Sequence, residues 1–507
     1  MKTKWVAATA AMFLLITCAT HATVPPAQAN KEGPSPAVAD AANLVQLAFE
    51  DVRHNNGAAG PELDKALHAP GFASLPEEVR YEAIFMASLI AWETSKYDKA
   101  HGLAVHATRF AEADNVAWVT RFSSAFAIKN YGDAAYSLTM FTQRWPAKLG
   151  DIVPGAVMQL HYQLKLAHED ETDRLMLDEL FDAGWKTQGV EPSNLWRDLA
   201  LQHLQRGEVA RATKVALRVT SGQVALSMRV DKRFDAITLA HLGAFDVDRL
   251  IAAEISATKA QIAAHPDQLQ PITDLQELFL ITSQYPKVLS ISDAAVVRAE
   301  KREGGKTYSD FSDRYNWILD SRSRAFKRQG QWDKAIAMEV LAARIPEQGG
   351  INVSQSINLG ELYAELGQPD NAATAIIQLG DLSPIGQMQL EGVKLRIAVD
   401  RGDESAASAA TAYLRAHRAE EPDTLQDALL LRGKLDEAAA LLIERLENPE
   451  WRTDALVDMQ HYADVARTPM EKTIHDRWNI VTRRPDVQAA LQKVGRVEKF
   501  AIAPGLR

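Results

Sequence analysis

Cysteine, excess positive charge and long apolar segments are all scarce in this sequence. The one cysteine, Cys18, excludes a disulfide framework and a zinc site built from cysteines. Lysine and arginine number 56 against 66 aspartates and glutamates, and the formal net charge of −10 argues against nonspecific binding to nucleic acid or to an anionic membrane. After the first apolar stretch no segment approaches about 18 uninterrupted apolar residues, so we expect no transmembrane span.

The rest of the composition is that of a globular protein. Of the 507 residues, 47% are hydrophobic and 24% are charged, which excludes collagen-like and wholly disordered chains. At roughly 100–200 residues per domain, this length corresponds to about three domains or to one elongated repeat array.

The start of the chain has the pattern of a secretory signal peptide. Two early lysines precede residues 5–16, which are almost all apolar, and residues 27–29 form an Ala-x-Ala cleavage motif. The apolar run is too short to cross a bilayer, which takes about 20 residues. We therefore expect residues 1–29 to be removed by cleavage at Ala29, residues 30–40 to form a linker, and the protein to be periplasmic or secreted.

Cys18 allows a second interpretation of this leader. Residues 15–18 resemble the lipoprotein box of bacteria, in which the cysteine is lipidated and becomes the first residue of the mature protein. Thr17 stands where that motif usually has glycine, alanine or serine. Both interpretations export the protein, and they differ in whether it becomes an outer-membrane lipoprotein.

Beyond residue 40 the pattern is helical, and it repeats. Apolar residues recur at spacings of three and four. Four glycines are each followed five residues later by an alanine, and successive glycines are 37, 35 and 31 residues apart. Such a period is typical of stacked helix pairs, in which glycine permits a left-handed turn and alanine lets the second helix approach the first. The pairs are Gly330 with Ala335, Gly367 with Ala372, Gly402 with Ala407, and Gly433 with Ala438.

These repeats resemble the tetratricopeptide repeat (TPR) family. The resemblance is specific over residues 316–450 and weaker over 81–226. It implies an all-α, right-handed superhelical solenoid of antiparallel helix pairs that binds a peptide or protein partner on its concave surface. The repeat that matches best has Leu359, Gly360, Tyr363, Gly367, Ala372, Ile376 and Pro384 at the family's spacing.

The strength of the repeat divides the mature chain into three sections. We expect a degenerate N-terminal array over 41–226, an irregular helical connecting section over 227–315, and a C-terminal array with capping helices over 316–507. Alternating charges in 229–235 predict an ion-pair network at the joint between the two arrays. Nothing resembles a coiled-coil seam, so we expect a monomer.

Motifs for catalysis are missing from the sequence. His168 and Glu169 begin a zinc-protease motif that fails at Thr172, and residues 304–307 imitate the end of a phosphate-binding loop without its leading glycine. There is no serine nucleophile elbow either. We therefore expect no enzyme activity, no cofactor and no metal. An active site assembled only in the fold, within 227–315, is the alternative.

One group of candidate binding residues lies on the helix before the first repeat glycine. In the TPR family the first helix of each pair lines the concave surface, so the resemblance implies a peptide-binding role for this helix. Its basic character predicts a carboxylate or an acidic peptide as ligand, with the first arginine able to form a bidentate contact. The alternative is a solvated helical face. The five residues are Trp317, Asp320, Arg324, Lys327 and Arg328.

A second group is aromatic. Tyr308, Phe311 and Tyr315, interleaved with aspartates, predict a platform on which a sugar or a peptide could stack. Their spacing also fits the buried face of a helix, so packing in the core is the alternative.

These features predict an exported, non-catalytic TPR-type scaffold that presents a groove to a peptide or protein partner in the bacterial cell envelope. The alternative function is that of a glycan- or polysaccharide-handling helical-repeat protein of the periplasm or outer membrane. Neither function involves nucleic acid.

Overall fold

The structure is a computed structural model that describes residues 34–54, 59–300, 308–347, 350–377 and 379–504. The predicted signal peptide, Cys18 and residues 304–307 lie outside the described residues. Over the described ranges the chain is helical, and β pairing is confined to four isolated bridges. The prediction of an all-α fold built from helix pairs is confirmed. None of the described helices is long and apolar enough to cross a membrane.

The chain divides into two compact units, the N-terminal unit (1–219) and the C-terminal unit (220–507). This boundary precedes the predicted one after residue 226. The predicted connecting section, 227–315, lies in the same compact unit as 316–507. The physical reason is that helices at 270–281 and 285–300 pack against the helix at 311–327, and the first helix of the unit packs against one of its last.

Ten α-helices form the described part of the N-terminal unit. Each helix packs against the next one along the chain, as expected for helices joined by short turns. They are α1 (Pro36–Arg53), α2 (Ala59–Leu67), α3 (Glu77–Glu93), α4 (Tyr97–Ala107), α5 (Asn115–Ala127), α6 (Tyr131–Arg144), α7 (Pro154–Leu166), α8 (Asp170–Asp182), α9 (Ser193–Gln205) and α10 (Val209–Ala216).

Sixteen α-helices form the described part of the C-terminal unit. Alternate helices also pack together here, such as α18 with α20 and α20 with α22. In chain order the helices are α11 (Gly222–Val230), α12 (Asp235–Thr238), α13 (Val247–Ala264), α14 (Gln270–Ile281), α15 (Tyr285–Glu300), α16 (Phe311–Lys327), α17 (Trp332–Ala343), α18 (Val353–Glu365), α19 (Pro369–Ala375), α20 (Pro384–Arg401), α21 (Glu404–Ala416), α22 (Pro422–Leu431), α23 (Leu435–Glu447), α24 (Arg452–Asp458), α25 (Pro469–Thr482) and α26 (Pro485–Val494).

The glycine–alanine pattern marks the turns of the C-terminal repeats, as predicted. The four glycines have φ between +67° and +71°, the left-handed region that glycine enters without steric cost. The alanine five residues after each of them is at most 1% exposed, because it lies where the two helices of a pair come closest.

The same turn also occurs without glycine, mostly in the N-terminal unit. Four residues that carry side chains have φ between +55° and +63°, and each is followed five residues later by a fully buried residue. The sequence pattern therefore underestimated the regularity of the repeats. The turn residues and their buried partners are Ser95 with Ala100, Lys129 with Ala134, His168 with Asp173, and Ser283 with Val288.

The two ends of the C-terminal unit meet. Helix α11 packs against α24, and Arg496 donates its backbone N–H to the Val230 carbonyl at 3.0 Å. Further along, Ala503 donates to the Ile281 carbonyl at 2.6 Å. One hydrophobic cluster contains residues from both ends of the unit, among them Leu226 and Phe500. The helices of this unit therefore close on themselves, which the repeat pattern did not predict.

The alternating charges of 229–235 belong to this closure. Arg229 pairs with Glu498 at 2.5 Å, and Asp235 pairs with Arg496. The predicted ion-pair network exists, but its partners come from the C-terminal end of the chain and not from a joint between two arrays.

Candidate binding site

The C-terminal unit holds a pocket of about 770 Å³, which we call the central pocket. Its lining side chains come mainly from six alternate helices, α14, α16, α18, α20, α22 and α24, and from α25. Alternate helices of a stack of pairs share one side of the stack. Because the unit closes on itself, these side chains converge on one volume.

All five candidate residues of α16 line the central pocket. Trp317, Asp320, Arg324 and Lys327 recur at three- and four-residue spacing and so share one face of the helix, and Arg328 follows at its C-terminal end. The structure therefore brings these predicted residues together.

The basic residues of this group are already paired with carboxylates. Arg324 donates two hydrogen bonds to Glu277, one of 2.8 Å, and Lys327 lies 2.5 Å from Glu365. Arg328 pairs with Glu471 of α25 at 3.1 Å. An acidic ligand would have to displace these carboxylates to reach the basic side chains.

The lining of the central pocket is predominantly acidic. Ten carboxylates line it, against four lysine or arginine side chains. The sequence analysis missed this excess because the carboxylates are scattered over almost 200 residues and converge only in the fold. They are Glu277, Asp320, Glu339, Glu361, Glu365, Asp423, Asp427, Asp454, Asp458 and Glu471.

Burial raises the pKa of three of these carboxyls. It raises the pKa of Glu339 well above its ordinary value, and nearby Asp320 adds to the effect. Burial also raises the pKa of Asp320, against the attraction of Arg324. For Glu365, burial outweighs Lys327 and raises the pKa to about 7. Of the three, Glu365 has a pKa close to neutral pH.

Glu471 behaves in the opposite way. Its burial favours the neutral acid, but the charges of Lys327 and Arg328 outweigh burial and lower its pKa. Glu471 also completes a capping box at the start of α25, since its carboxylate accepts from the Thr468 N–H at 2.8 Å. It thus fixes α25 against α16 as an ionised group.

Aromatic side chains complete the lining. Trp317, Tyr462 and Trp478 reach the central pocket from α16, from the segment after α24 and from α25. Indole and phenol rings offer flat apolar faces beside the charged groups. Trp478 and Tyr462 were not among the candidate residues, because their repeats lack the family pattern.

The predicted aromatic platform is part of the core. Tyr308 is 5% exposed and belongs to an apolar cluster with Leu269 and Ile318. Phe311 and Tyr315 stack on each other with ring centroids 4.5 Å apart and pack against the same cluster. The structure thus places these three residues as the packing alternative expects, and the platform interpretation is corrected.

Buried charges in the N-terminal unit are held in local networks. His161 bridges two carboxylates: its Nδ1 lies 2.8 Å from Asp173 and its Nε2 lies 3.1 Å from Asp198. Burial disfavours the charged imidazole, but these carboxylates outweigh it and raise the pKa of His161 to about 9. His203 is bonded in the same way to Asp178 and Glu208. Over the described residues no three His, Cys, Asp or Glu side chains are arranged to hold a metal ion.

Comparisons with known proteins leave the family open. No protein-family model matches the chain, and no curated protein matches it. The solved structures it is similar to include the Naa15/Naa10 complex bound to HypK-THB, at 13% identity over 83% of this chain and 70% of that chain, with a TM-score of 0.23. Yeast Tom70 has 12% identity over 82% of this chain and 100% of that chain, with a TM-score of 0.24.

A third similar structure is a circular tandem repeat protein with a novel repeat topology. It has 12% identity, covers 96% of this chain and 98% of that chain, and has a TM-score of 0.13. Scores this low carry no argument about function. The TPR-like character of the fold rests on the helix pairs and the turns described above.

Proposed function

We propose that this protein is a non-catalytic binding scaffold whose central pocket takes a short polypeptide segment of a partner protein. The observation that carries this proposal is the convergence of six alternate repeat helices and α25 on one volume of about 770 Å³. That volume lies within the range of about 300–1,000 Å³ found for ligand pockets. The proposal applies to the C-terminal unit.

The lining has groups that suit a peptide. Ser354, Asn358 and Gln389 supply hydroxyl and amide groups, which both donate and accept hydrogen bonds and so fit peptide N–H and C=O groups. Leu362, Val457 and Ile474 supply apolar contact between them. Peptide-recognition sites combine hydrogen bonds to the main chain with pockets for side chains, and these lining groups can supply both.

We also propose that the protein works in the cell envelope after export. The leader pattern of residues 1–29 supports this part of the proposal, either as a cleaved signal peptide or as the lipoprotein form at Cys18. A Cys18→Ala variant of the full chain separates the two. Loss of membrane association in that variant supports the lipoprotein form, and unchanged fractionation supports cleavage.

The test of the binding proposal uses residues 30–507 and a random library of 12-residue peptides. Peptides enriched on the protein are synthesised and titrated by calorimetry. We expect Asn358→Trp to weaken binding strongly because its indole occupies part of the central pocket. The matched control is Leu341→Trp, since Leu341 is 45% exposed on α17 and does not line the pocket. Absence of enriched peptides, or equal binding by both variants, would overturn the proposal.

A glycan is the second candidate ligand. The observation in its favour is that Trp317, Tyr462 and Trp478 line the same pocket as its many carboxylates, a combination that suits sugar rings and hydroxyls. Saccharide-dependent quenching of tryptophan fluorescence, with no binding of library peptides, would replace the peptide proposal by this one.

A further inference from the structure

We infer that α25 is a lid over the central pocket, and that the contacts of Glu471 with Lys327 and Arg328 are the latch that holds it shut. The part that moves is the N-terminal end of α25, while its C-terminal half stays on the neighbouring helices. This inference goes beyond the proposed function, because it concerns access to the pocket and not the ligand that the pocket takes.

The first argument is the position of α25. Four of its side chains line the central pocket, and their spacing of three and four residues puts them on one face of the helix. Unlike the repeat helices, α25 is reached through residues 462–468, which have no helical structure. A connection of this kind can absorb a change in the angle of the helix that follows it. The four side chains are Glu471, Ile474, His475 and Trp478.

The second argument is that the two ends of α25 are attached differently. The C-terminal half packs against α22 and α23, where Trp478 and Val481 join a large apolar cluster. The N-terminal end lies beside α18 and is joined to the end of α16 by charge. There Glu471 lies 3.1 Å from the Lys327 Nζ and 3.1 Å from the Arg328 Nη1. Apolar packing therefore fixes one half of the helix, and ionic contacts hold the other end.

The third argument is that each member of the latch keeps a partner when the latch opens. Lys327 also lies 2.5 Å from Glu365 of α18, and Glu471 also accepts from the Thr468 N–H of its own helix at 2.8 Å. Arg328 follows the last residue of α16, so that withdrawal of α25 exposes it to water. The large cost of breaking a buried ion pair comes from the charge left unpaired, and here release leaves none.

The fourth argument is the choice of charged side chains for this joint. The side chains of Lys327, Arg328 and Glu471 are only 17%, 10% and 19% exposed, so their desolvation offsets much of their attraction. Apolar side chains of similar volume would hold α25 at least as firmly. What charges add is reversibility, since salt or a competing charge weakens them.

The experiment measures the distance between α25 and α17 by pulsed electron paramagnetic resonance. Residues 30–507 contain no cysteine, so nitroxide labels attach only where cysteine is introduced. Thr473→Cys and Leu341→Cys place the two labels at exposed positions on α25 and α17. We expect one main distance with Glu471 present, and a second, longer distance in Glu471→Gln. Glutamine removes the charge and can still complete the capping box.

The ratio of the longer to the shorter distance should rise by about tenfold in Glu471→Gln, as expected for the loss of one charged contact. The matched control is Asp476→Asn on the same helix, whose ion pair with Lys472 is exposed, and it should leave the ratio unchanged. A reference pair of labels, Leu341→Cys with Ile385→Cys, spans α17 and α20 outside the lid and should keep its distance in every variant.

Each outcome decides the inference. A single unchanged distance in Glu471→Gln overturns the lid. A second distance in the reference pair as well shows that the whole unit loosens, and it also overturns the lid. If Glu471→Gln does not fold, the labelled protein that retains Glu471 is measured at 50 and 500 mM salt. A latch of charges must open more at the higher salt, and an unchanged ratio overturns it.

These measurements use no ligand, so they are independent of the test of the proposed function. Failure of the lid leaves a peptide-binding pocket that is permanently open or closed. Absence of enriched library peptides overturns the peptide-binding function and leaves the lid to be decided by the distances.

Discussion

The two units are built from the same helix pair and treat buried charge differently. In the N-terminal unit His161 takes its partners, Asp173 and Asp198, from positions 12 and 37 residues away, on the same or the neighbouring pair. In the C-terminal unit Arg445 is also paired locally, but Arg328 takes Glu471 from 143 residues away, on α25. Local pairing completes a repeat, whereas distant pairing holds the ring of helices together around the pocket.

The two units also differ in the balance between carboxylates and cations. The two carboxylates that contact the His161 imidazole also accept hydrogen bonds from other side chains, Asp173 from Gln202 and Asp198 from Lys165. The charges of this network are therefore paired within the protein. The central pocket of the C-terminal unit has more carboxylates than cations. Carboxylates gathered in a partly buried volume repel one another, so the pocket contributes less to stability than a balanced network would.

The largest effect is expected at Arg445, which is fully buried in the C-terminal unit. Arg445→Met removes the cation between Asp423 and Asp458 and leaves two carboxylates beside an apolar side chain. We expect the free energy of unfolding of this unit to fall by about 3–5 kcal/mol, measured by urea denaturation. The control is Arg415→Met, whose ion pair with Glu437 is exposed and contributes less than about 1 kcal/mol. If both variants lose the same free energy of unfolding, the charges around Arg445 are solvated as well as charges on the surface.

His161 should make the stability of the N-terminal unit depend on pH. Its pKa is raised in the folded state, from about 6.5 to about 9. The stabilisation is therefore fully present below pH 6.5 and is lost as the pH rises through 9, an effect of about 3 kcal/mol. Unfolding free energies at pH 6 and pH 9.5 measure it.

His161→Gln should remove this extra loss between the two pH values. The matched control is His68→Gln, because His68 is an exposed histidine that bonds only its own helix turn, at the Asp64 carbonyl. A pH dependence that survives in His161→Gln would contradict the assignment and would place the charge elsewhere in the unit.

Closure of the C-terminal unit can be tested at Gly495. A Cβ added there would collide with the side chain of Leu456 and lie 2.7 Å from the Val230 carbonyl oxygen. We expect Gly495→Ala to destabilise the C-terminal unit by about 1–3 kcal/mol and to weaken ligand binding, because the two ends are forced apart. Gly243→Ala is the control, since a Cβ at Gly243 meets nothing within 4 Å. Unfolding curves and melting temperatures that coincide for the two variants would mean that the ends contribute nothing to stability.

The smallest effect concerns the turns. Lys129 adopts φ +63° at a turn where the C-terminal repeats have glycine. Lys129→Gly should stabilise the N-terminal unit by about 0.5–1 kcal/mol, because relief of left-handed strain exceeds the entropy that glycine adds to the unfolded chain. Lys96→Gly is the control, since Lys96 has φ −90° and no strain to relieve. Equal changes in thermal stability for both would remove the turn as a cause of difference between the units.

The local parts of this fold could be predicted from the sequence. Glycine at the left-handed turn and alanine at the close helix contact are requirements of a few neighbouring atoms, so Gly330 and Ala335 reveal a helix pair without knowledge of the rest of the chain. The resemblance to the TPR family implied that the helix carrying Trp317, Asp320 and Arg324 lines the concave surface. The turn at His168 was not predicted, because the left-handed conformation is tolerated there by a residue that gives no sequence signal.

The sequence by itself determined the all-α class, the helix pairs and the residues of α16 that face inward. Only the tertiary structure decided that α11 meets α24, that Arg328 faces Glu471, and that ten carboxylates line one pocket. The division has a physical cause. Helix formation and tight turns depend on neighbours a few residues away, whereas the charge of a pocket is a sum over side chains that only the path of the whole chain brings together.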